Sequence, residues 1–144
     1  MSSYVTSRGK ARRRAVDIIF EADLRNLGVE EILSLREDRT DQLINPMTRR
    51  IVLGVNEKLD MIDELLTTYS QGWTIERMPN VDRAILRVGA WDVLFGDPEE
   101  VPETVAVKEA ADIARELSTD DSPDFVKGLL GRIQKLKPTL LPSE

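Results

Sequence analysis

The sequence contains neither cysteine nor histidine. The absence of cysteine excludes disulfide bonds, thiolate metal sites and cysteine nucleophiles. The absence of histidine removes the commonest general base and the commonest metal ligand, so an enzyme built on this chain would depend on carboxylates, lysines or hydroxyls. We therefore expect no catalytic residue, no metal and no cofactor in this protein.

Phosphate-binding loops and long apolar segments are also missing. The eight glycines are scattered and form neither GxGxxG nor GxxxxGK[ST], the two common nucleotide-binding motifs. No uncharged apolar run approaches the roughly 20 residues that a membrane helix needs, and acidic residues interrupt the apolar positions behind the basic N-terminus, unlike in a signal peptide. These features predict a cytoplasmic protein with no membrane partner.

Charge is distributed unevenly along the chain, whose formal net charge is −6. Residues 1–14 hold five basic residues and no acid, residues 15–124 hold 11 basic and 25 acidic residues, and residues 125–143 hold four more basic residues. The two ends are therefore basic and the middle is acidic. Two basic patches that meet on folding could form an anion site; a solvated tail is the alternative for the N-terminal cluster.

Apolar spacing predicts helices along nearly the whole chain. In the opening stretch SRGKARRRAVDIIFEADL the apolar residues recur at helical intervals, so the basic head forms the first turns of a packed helix. A second row on the flank of this helix consists of Arg12, Val16, Phe20 and Leu24. No alternating stretch predicts a strand, so the expected fold is all-α, as one bundle or a pair of small bundles.

Further helices are predicted at five places after the first. They cover residues 30–36, one long helix from 47 to Gln71-Gly72, a helix that follows an N-cap at Asn80 and ends at residue 96, residues 107–117, and a last helix that follows an N-cap at Ser122 and ends at Pro138.

Phe125 is an aromatic residue with two competing interpretations. It lies in the first turn of the last predicted helix, near Asp121 and Lys127, and directly before the buried row that begins at Val126. An aromatic ring beside cations can stack unpaired RNA bases while the cations hold phosphates. The alternative is an ordinary residue on the flank of the core.

Three stretches together resemble the NusB family of transcription antitermination factors. They are the head RRRAVDIIFEADL, the central GWTIERMPNVDRAILRVGAWDVL and the tail AVKEAADIARELSTDDSPDFVKGLLG. The similarity runs from about Arg8 to Ile133 with a variable region near residues 28–48, and the combination of DRAILR, WDVL and DDSPDFV is more specific than any of its parts. The resemblance implies about seven helices in two small bundles within one domain, residues 1–144. Roughly residues 1–76 would form an N-terminal half, 77–137 a C-terminal half and 138–144 a tail.

The resemblance also implies a function. It implies an RNA-binding antitermination factor that, with the small-subunit ribosomal protein NusE, binds boxA RNA of ribosomal RNA leader transcripts. This pair promotes read-through by RNA polymerase in a complex with other Nus factors. A protein-only helical adaptor in a transcription or ribosome-assembly complex is the alternative. The oligomeric state stays open, because a homodimer could bury the apolar flank row when NusE is absent.

The family's binding residues can be carried onto this chain one by one. The RNA-binding candidates are Arg8, Lys10, Arg12, Arg13, Asp121, Phe125 and Lys127, and the NusE-binding candidates are Phe20 and Asp82. We expect Arg12→Glu to weaken RNA binding while the thermal melting of the protein stays nearly unchanged. Asp82 has an equally strong structural explanation, because a first-turn carboxylate stabilises its own helix by roughly 0.3–1 kcal/mol.

Lys108 and Lys127 stand where the family commonly has asparagine, and whether Lys127 reaches the RNA stays open.

Overall fold

The computed structural model describes residues 7–40, 43–71 and 73–141. These residues form seven α-helices and one short 3₁₀ turn, Ile75–Arg77, without any strand. The helices are α1 (Ser7–Arg25), α2 (Val29–Thr40), α3 (Pro46–Glu57), α4 (Leu59–Tyr69), α5 (Asn80–Phe95), α6 (Glu103–Leu117) and α7 (Ser122–Leu140). The all-α prediction is confirmed, and none of the described helices has the length and apolarity that crossing a membrane requires.

Helix α5 lies at the centre of the fold. It packs against α1, α3, α4, α6 and α7, while α1 also packs on α2 and α3, and α6 packs on α7. Ten of its residues between Ala84 and Leu94 are buried, as expected for a helix surrounded by others. Gly89 permits one of these close approaches, because a Cβ at that position would stand 2.6 Å from Cδ1 of Leu130. This central helix therefore sets the relative positions of most other elements.

The single long helix predicted after residue 47 is in fact two helices. The Asn45 side chain accepts a hydrogen bond from the Met47 amide at 2.8 Å where α3 begins. Lys58, with φ −104° and ψ 16°, separates α3 from α4. The prediction was wrong because one non-helical residue interrupts the helix without disturbing the sequence spacing of the apolar residues. Helix α4 ends at Tyr69, shortly before the predicted end at Gln71-Gly72, of which Gly72 lies outside the described residues.

The two predicted N-caps are displaced by one residue. Asn80 is the first residue of α5, and its side-chain oxygen accepts a hydrogen bond from Nη2 of Arg83 at 2.8 Å. Ser122 is likewise the first residue of α7, with Asp121 at the cap position. Helix α7 continues through Pro138 to Leu140, so the first residues of the predicted tail are helical. Residues 142–144 lie outside the described part.

Candidate nucleic-acid interface

Arg12 lies inside the protein, with only 2% of its surface exposed. Its Nε donates to Oδ2 of Asp92 at 2.6 Å, and its Nη1 donates to Oε2 of Glu109 at 2.6 Å. The guanidinium thus joins α1 to α5 and α6. The expectation that Arg12 docks a phosphate is corrected by this arrangement, because two carboxylates already occupy the guanidinium and bulk solvent does not reach it. In Arg12→Glu a third buried carboxylate would join the other two, so we now expect this variant to melt at a lower temperature.

We call the cluster of Arg12, Asp92 and Glu109 the buried triad. It contains two carboxyl groups and only one guanidinium. Burial raises the pKa of Asp92 above its ordinary value, although Arg12 acts in the opposite direction. Burial also raises the pKa of Glu109 against the effect of Arg12, and the neighbouring Asp92 carboxylate adds to the rise. One positive charge cannot balance two negative charges in a dry site. The triad therefore takes up a proton more readily than free carboxylates do.

The other cations of the first turns of α1 are more accessible. Arg8, Lys10 and Arg14 are exposed, whereas Arg13 is half-buried and paired with an acid one turn further along the helix. Nη1 of Arg8 donates to the backbone carbonyl of Glu100 at 2.7 Å. Lys10 and Arg14 form no ion pair with any described residue. Arg14 was not among the predicted site residues, although its place in the basic head was a usable signal.

Near the start of α7, Phe125 packs against an aromatic ring that the sequence analysis missed. The ring centroids of Phe125 and Trp73 lie 5.2 Å apart at an interplanar angle of 55°. Phe125 is half-buried, and Trp73 is 46% exposed. Lys127 in α7 and Asp121, at the cap position directly before the helix, are both exposed. No periodic pattern marks Trp73, because it lies outside the helices, in the segment between α4 and α5.

The two groups of predicted RNA-binding residues lie near opposite ends of α5. Near the C-terminal end, Asp92 holds Arg12 of α1. In the first turn, Asp82 accepts a hydrogen bond from Ser122 at the start of α7. The rise of an α-helix places Asp82 and Asp92 about 15 Å apart along the axis. The structure therefore brings Phe125 next to Trp73 and not next to the basic head, and a ligand that reaches both groups has to span that distance.

The two predicted partner residues differ in exposure. Phe20 is half-buried on α1, and Leu24, one turn later, is 60% exposed. Asp82 is only 2% exposed, and its Oδ2 accepts a hydrogen bond from Oγ of Ser122 at 3.0 Å. Its Oδ1 has no hydrogen-bond partner among the described residues. The expectation that Asp82 meets a partner is corrected, because its carboxylate is enclosed between α5 and α7.

The two arginines of the DRAILR motif also connect helices. Arg83 donates from Nε and Nη2 to Oδ2 of Asp23 in α1, at 2.9 and 2.7 Å, and from Nη1 to the carbonyl of Ile75 at 2.9 Å. Arg87 donates from Nε and Nη2 to the two carboxylate oxygens of Asp63 in α4, both at 2.8 Å. These contacts explain the motif by the packing of α1, α4 and α5.

Lys108 and Lys127 line one groove between α6 and α7. The groove has a volume of about 680 Å³, and Ala111 and Gly131 also line it. Nζ of Lys108 lies 3.1 Å from a carboxylate oxygen of Asp112, while Lys127 has no ion pair with a described residue. In the part of the chain that the structure describes, no group of three or more acidic residues is arranged to hold a metal ion.

Comparison with known proteins assigns the chain to a family. Residues 9–135 match the model of the NusB family. The transcription antitermination protein NusB of Arthrobacter sp. (strain FB24) is 56% identical over 137 residues, which cover 95% of this chain and 99% of that protein. The protein of the same name from Thermobifida fusca (strain YX) is 48% identical over 134 residues, which cover 93% of each chain.

Solved structures agree with this assignment. NusB of T. maritima has a TM-score of 0.76 to this chain at 33% identity, covering 94% of this chain and 93% of its own. A structure of the antitermination factors NusB and NusE in complex with dsRNA has a TM-score of 0.75 at 20% identity, covering 94% and 98%, and shows a likeness of fold. The family match, the sequence relatives and the seven-helix fold lead to one conclusion: the chain belongs to the NusB family.

Proposed function

We propose that this protein is an RNA-binding transcription antitermination factor that acts in the cytoplasm with NusE on boxA RNA. In this proposal the pair binds ribosomal RNA leader transcripts and promotes read-through by RNA polymerase together with other Nus factors. Membership of the NusB family supports the antitermination role, since a relative that is 56% identical is named transcription antitermination protein NusB. The structurally similar complex of NusB and NusE with dsRNA supports the choice of RNA and partner.

The observation that carries the RNA-binding proposal is the set of accessible cations on the first turns of α1. Lys10 and Arg14 are exposed without an ion pair to a described residue, so they are ready to meet phosphates. Arg8 can exchange its contact with Glu100 for a phosphate. Arg12 acts here as a positioning residue, because its two buried ion pairs fix the helical turn that carries the other cations.

The second part of the proposed RNA surface is the start of α7. Phe125 offers part of an aromatic surface, Lys127 a cation, and Asp121 an acceptor for base amino groups. A single RNA strand that runs from the head to α7 would pass along roughly the length of α5. Phosphate contacts supply affinity and the aromatic end supplies stacking, which together suit an unpaired strand.

The proposed NusE surface is the outer face of α1 around Phe20. Phe20 and the exposed Leu24 form an apolar strip one helical turn long. Exposed apolar side chains that lie together often mark a protein interface. In this proposal Asp82 contributes indirectly, by holding Ser122 and so the start of α7. A second copy of the chain is the competing occupant of the strip.

A titration with labelled RNA tests the proposal. Labelled boxA RNA and a scrambled RNA of equal length are titrated with the protein, alone and with NusE, at several salt concentrations. We expect tighter binding to boxA, an increase with NusE, and a salt dependence of roughly −0.7 in log K per log salt for each phosphate contact. Equal affinity for the two RNAs would reject the proposal and favour a protein-only adaptor.

A further inference from the structure

The segment that precedes α5 presents an indole ring to solvent. Trp73 is 46% exposed and is the only aromatic side chain classed as exposed in the described part of the chain. The second tryptophan, Trp91, is 8% exposed in the core. Tryptophan gains more from burial than almost any other residue, so an indole left half in solvent is an unusual feature.

The exposed indole is held in place by its surroundings. Ser70 is 3% exposed, and the single hydrogen of its hydroxyl can be donated to the carbonyl of Trp73 or to that of Thr67, both of which lie within hydrogen-bond distance. Phe125 packs against the indole at a centroid distance of 5.2 Å. Both the backbone and the ring of Trp73 are therefore positioned before any ligand arrives.

A cleft of about 460 Å³ opens beside the two rings. Arg132 lines it from α7, where its Nε donates to the carbonyl of Tyr69 at 3.0 Å. Gly128 forms part of the same wall, and a Cβ added there would meet only Nη1 of Arg132, at 3.7 Å. The cleft, which we call the Trp73 cleft, thus combines an aromatic surface, a guanidinium and a wall without side-chain bulk.

The charges that surround the Trp73 cleft favour a ligand with a polar, planar body. The carboxylate of Asp124 also lines it, so a phosphate would be repelled from that part, whereas a base amino group would find an acceptor. Arg132 and the nearby Lys127 supply positive charge for a phosphate outside. An apolar peptide side chain would instead displace water from the charged groups of Asp124 and Arg132 without replacing its hydrogen bonds, which is unfavourable.

We propose that the Trp73 cleft binds one unpaired RNA base, which stacks on the exposed surface of the indole while its phosphate faces Arg132. The base does not enter between Trp73 and Phe125, because those rings already pack against each other at a centroid distance of 5.2 Å. The inference rests on the proposed function, since it names the place on the RNA-binding surface where a base is held. Stacking of this kind accepts any base, so it adds affinity and not sequence choice.

Tryptophan fluorescence and labelled RNA test this inference together. Single-stranded boxA RNA, an oligoadenylate of equal length and the boxA duplex are the probes. Because the chain has only two tryptophans and Trp91 is buried, stacking on Trp73 should quench emission with single strands and not with the duplex. The quenching should disappear in Trp73→Phe. In Trp73→Ala the affinity for single strands should fall about 5- to 150-fold, the range expected for loss of one stacked base.

A control variant and the binding of Trp73→Phe make the result decisive. Leu43→Ala removes a side chain that is 89% exposed and far from the predicted contacts in sequence, and it should bind as the unchanged protein does. Trp73→Phe keeps an aromatic ring and should retain most of the binding even if Trp73→Ala folds poorly, which circular dichroism would reveal. Unquenched emission with every single strand, or equal binding by Trp73→Ala, would overturn the inference. If the inference fails but the protein still binds boxA RNA more tightly than oligoadenylate, the proposed function stands. If both single strands quench the emission but bind equally tightly, the inference stands and the proposed function is rejected.

Discussion

The buried triad and the Trp73 cleft show opposite relations between polarity and burial. At the triad a charged side chain, Arg12, is 2% exposed, while at the cleft an aromatic side chain, Trp73, is 46% exposed. A buried guanidinium is tolerated only because Asp92 and Glu109 pair with it, and an exposed indole forgoes the stabilisation that burial gives. The most basic part of the sequence thus contributes one of its charges to the fold, while the start of α7, whose sequence is less basic, keeps an open surface.

The largest effect that sharpens this comparison is expected at the buried triad. Arg12→Ala leaves two buried carboxylates without a cation, so the free energy of unfolding should fall by roughly 3–5 kcal/mol. Lys10→Ala, two residues away but exposed, should change it by no more than about 0.5 kcal/mol. Urea denaturation of both variants measures the difference, and similar stabilities would show that Arg12 is not a structural residue.

The two tryptophans provide the second test, because they have the same side chain in different surroundings. Trp91→Ala removes a buried ring from α5 and should lower the free energy of unfolding by roughly 3–5 kcal/mol. Trp73→Ala should lower it by less than about 1 kcal/mol, since nearly half of that side chain is already in solvent. If thermal melting showed equal losses of stability in the two variants, Trp73 would belong to the core, and the contrast between the two tryptophans would not hold.

The third test uses pH, because the pKa values of Asp92 and Glu109 are raised in the folded protein. Between the ordinary and the raised values the folded state binds more protons than the unfolded state, so this contribution to stability decreases as pH rises. One such proton corresponds to a slope of at most about 1.4 kcal/mol per pH unit. Asp92→Asn should flatten this dependence in melting curves recorded from mildly acidic to neutral pH.

An acid on the surface of α1 serves as the opposite control. Hydrogen bonds from Arg25 and Arg36 lower the pKa of Glu21, with that of Arg25 contributing most. The contribution of Glu21 to the free energy of unfolding is therefore present above its ordinary pKa and is lost as pH falls. Glu21→Gln should not flatten the decrease in stability with rising pH that the triad causes. If Asp92→Asn showed the same dependence of stability on pH as the unchanged protein, the titrating group would be a residue other than Asp92.

The smallest expected effect concerns the exposed cations of the head. Under the proposed function, Lys10→Ala should reduce the slope of log K against log salt by about 0.7, the value for one phosphate contact with a single strand. Lys10→Arg should restore the slope because it keeps the charge. A slope that stays the same in Lys10→Ala would show that this lysine does not contact RNA.

Much of the helical architecture could be predicted from the sequence, because burial on a helix repeats with a fixed period. The predicted buried row of α7, which begins at Val126, is indeed buried and continues through Leu129, Leu130 and Ile133. The helix boundary at Lys58 could not be predicted in this way, since the apolar spacing continues across it. Periodicity indicates which face of a helix is buried and is insensitive to an interruption of the helix by one residue.

The roles of individual charges were harder to predict. The partners of Arg12 lie 80 and 97 residues away along the chain, so no local pattern distinguishes it from the exposed Lys10. Its position one turn before Val16, which is 1% exposed, was a signal that this row turns inward. The stretches that carried the family resemblance contain Arg12, Asp92 and Glu109, whose shared contact is structural. Such motifs identify a family more securely than they identify the residues that touch its ligand.

The engagement of the head's charges within the protein has a consequence for how the protein would search for its target. Arg12 is neutralised inside the triad and Arg13 by a neighbouring acid, so Lys10 and Arg14 remain the cations without an ion pair among the described residues of the head. Affinity for arbitrary RNA grows with the number of phosphates neutralised. A head with few available charges would dwell briefly on each of the many transcripts in a cell, and would sample them quickly until a strand also fits the far end of the molecule.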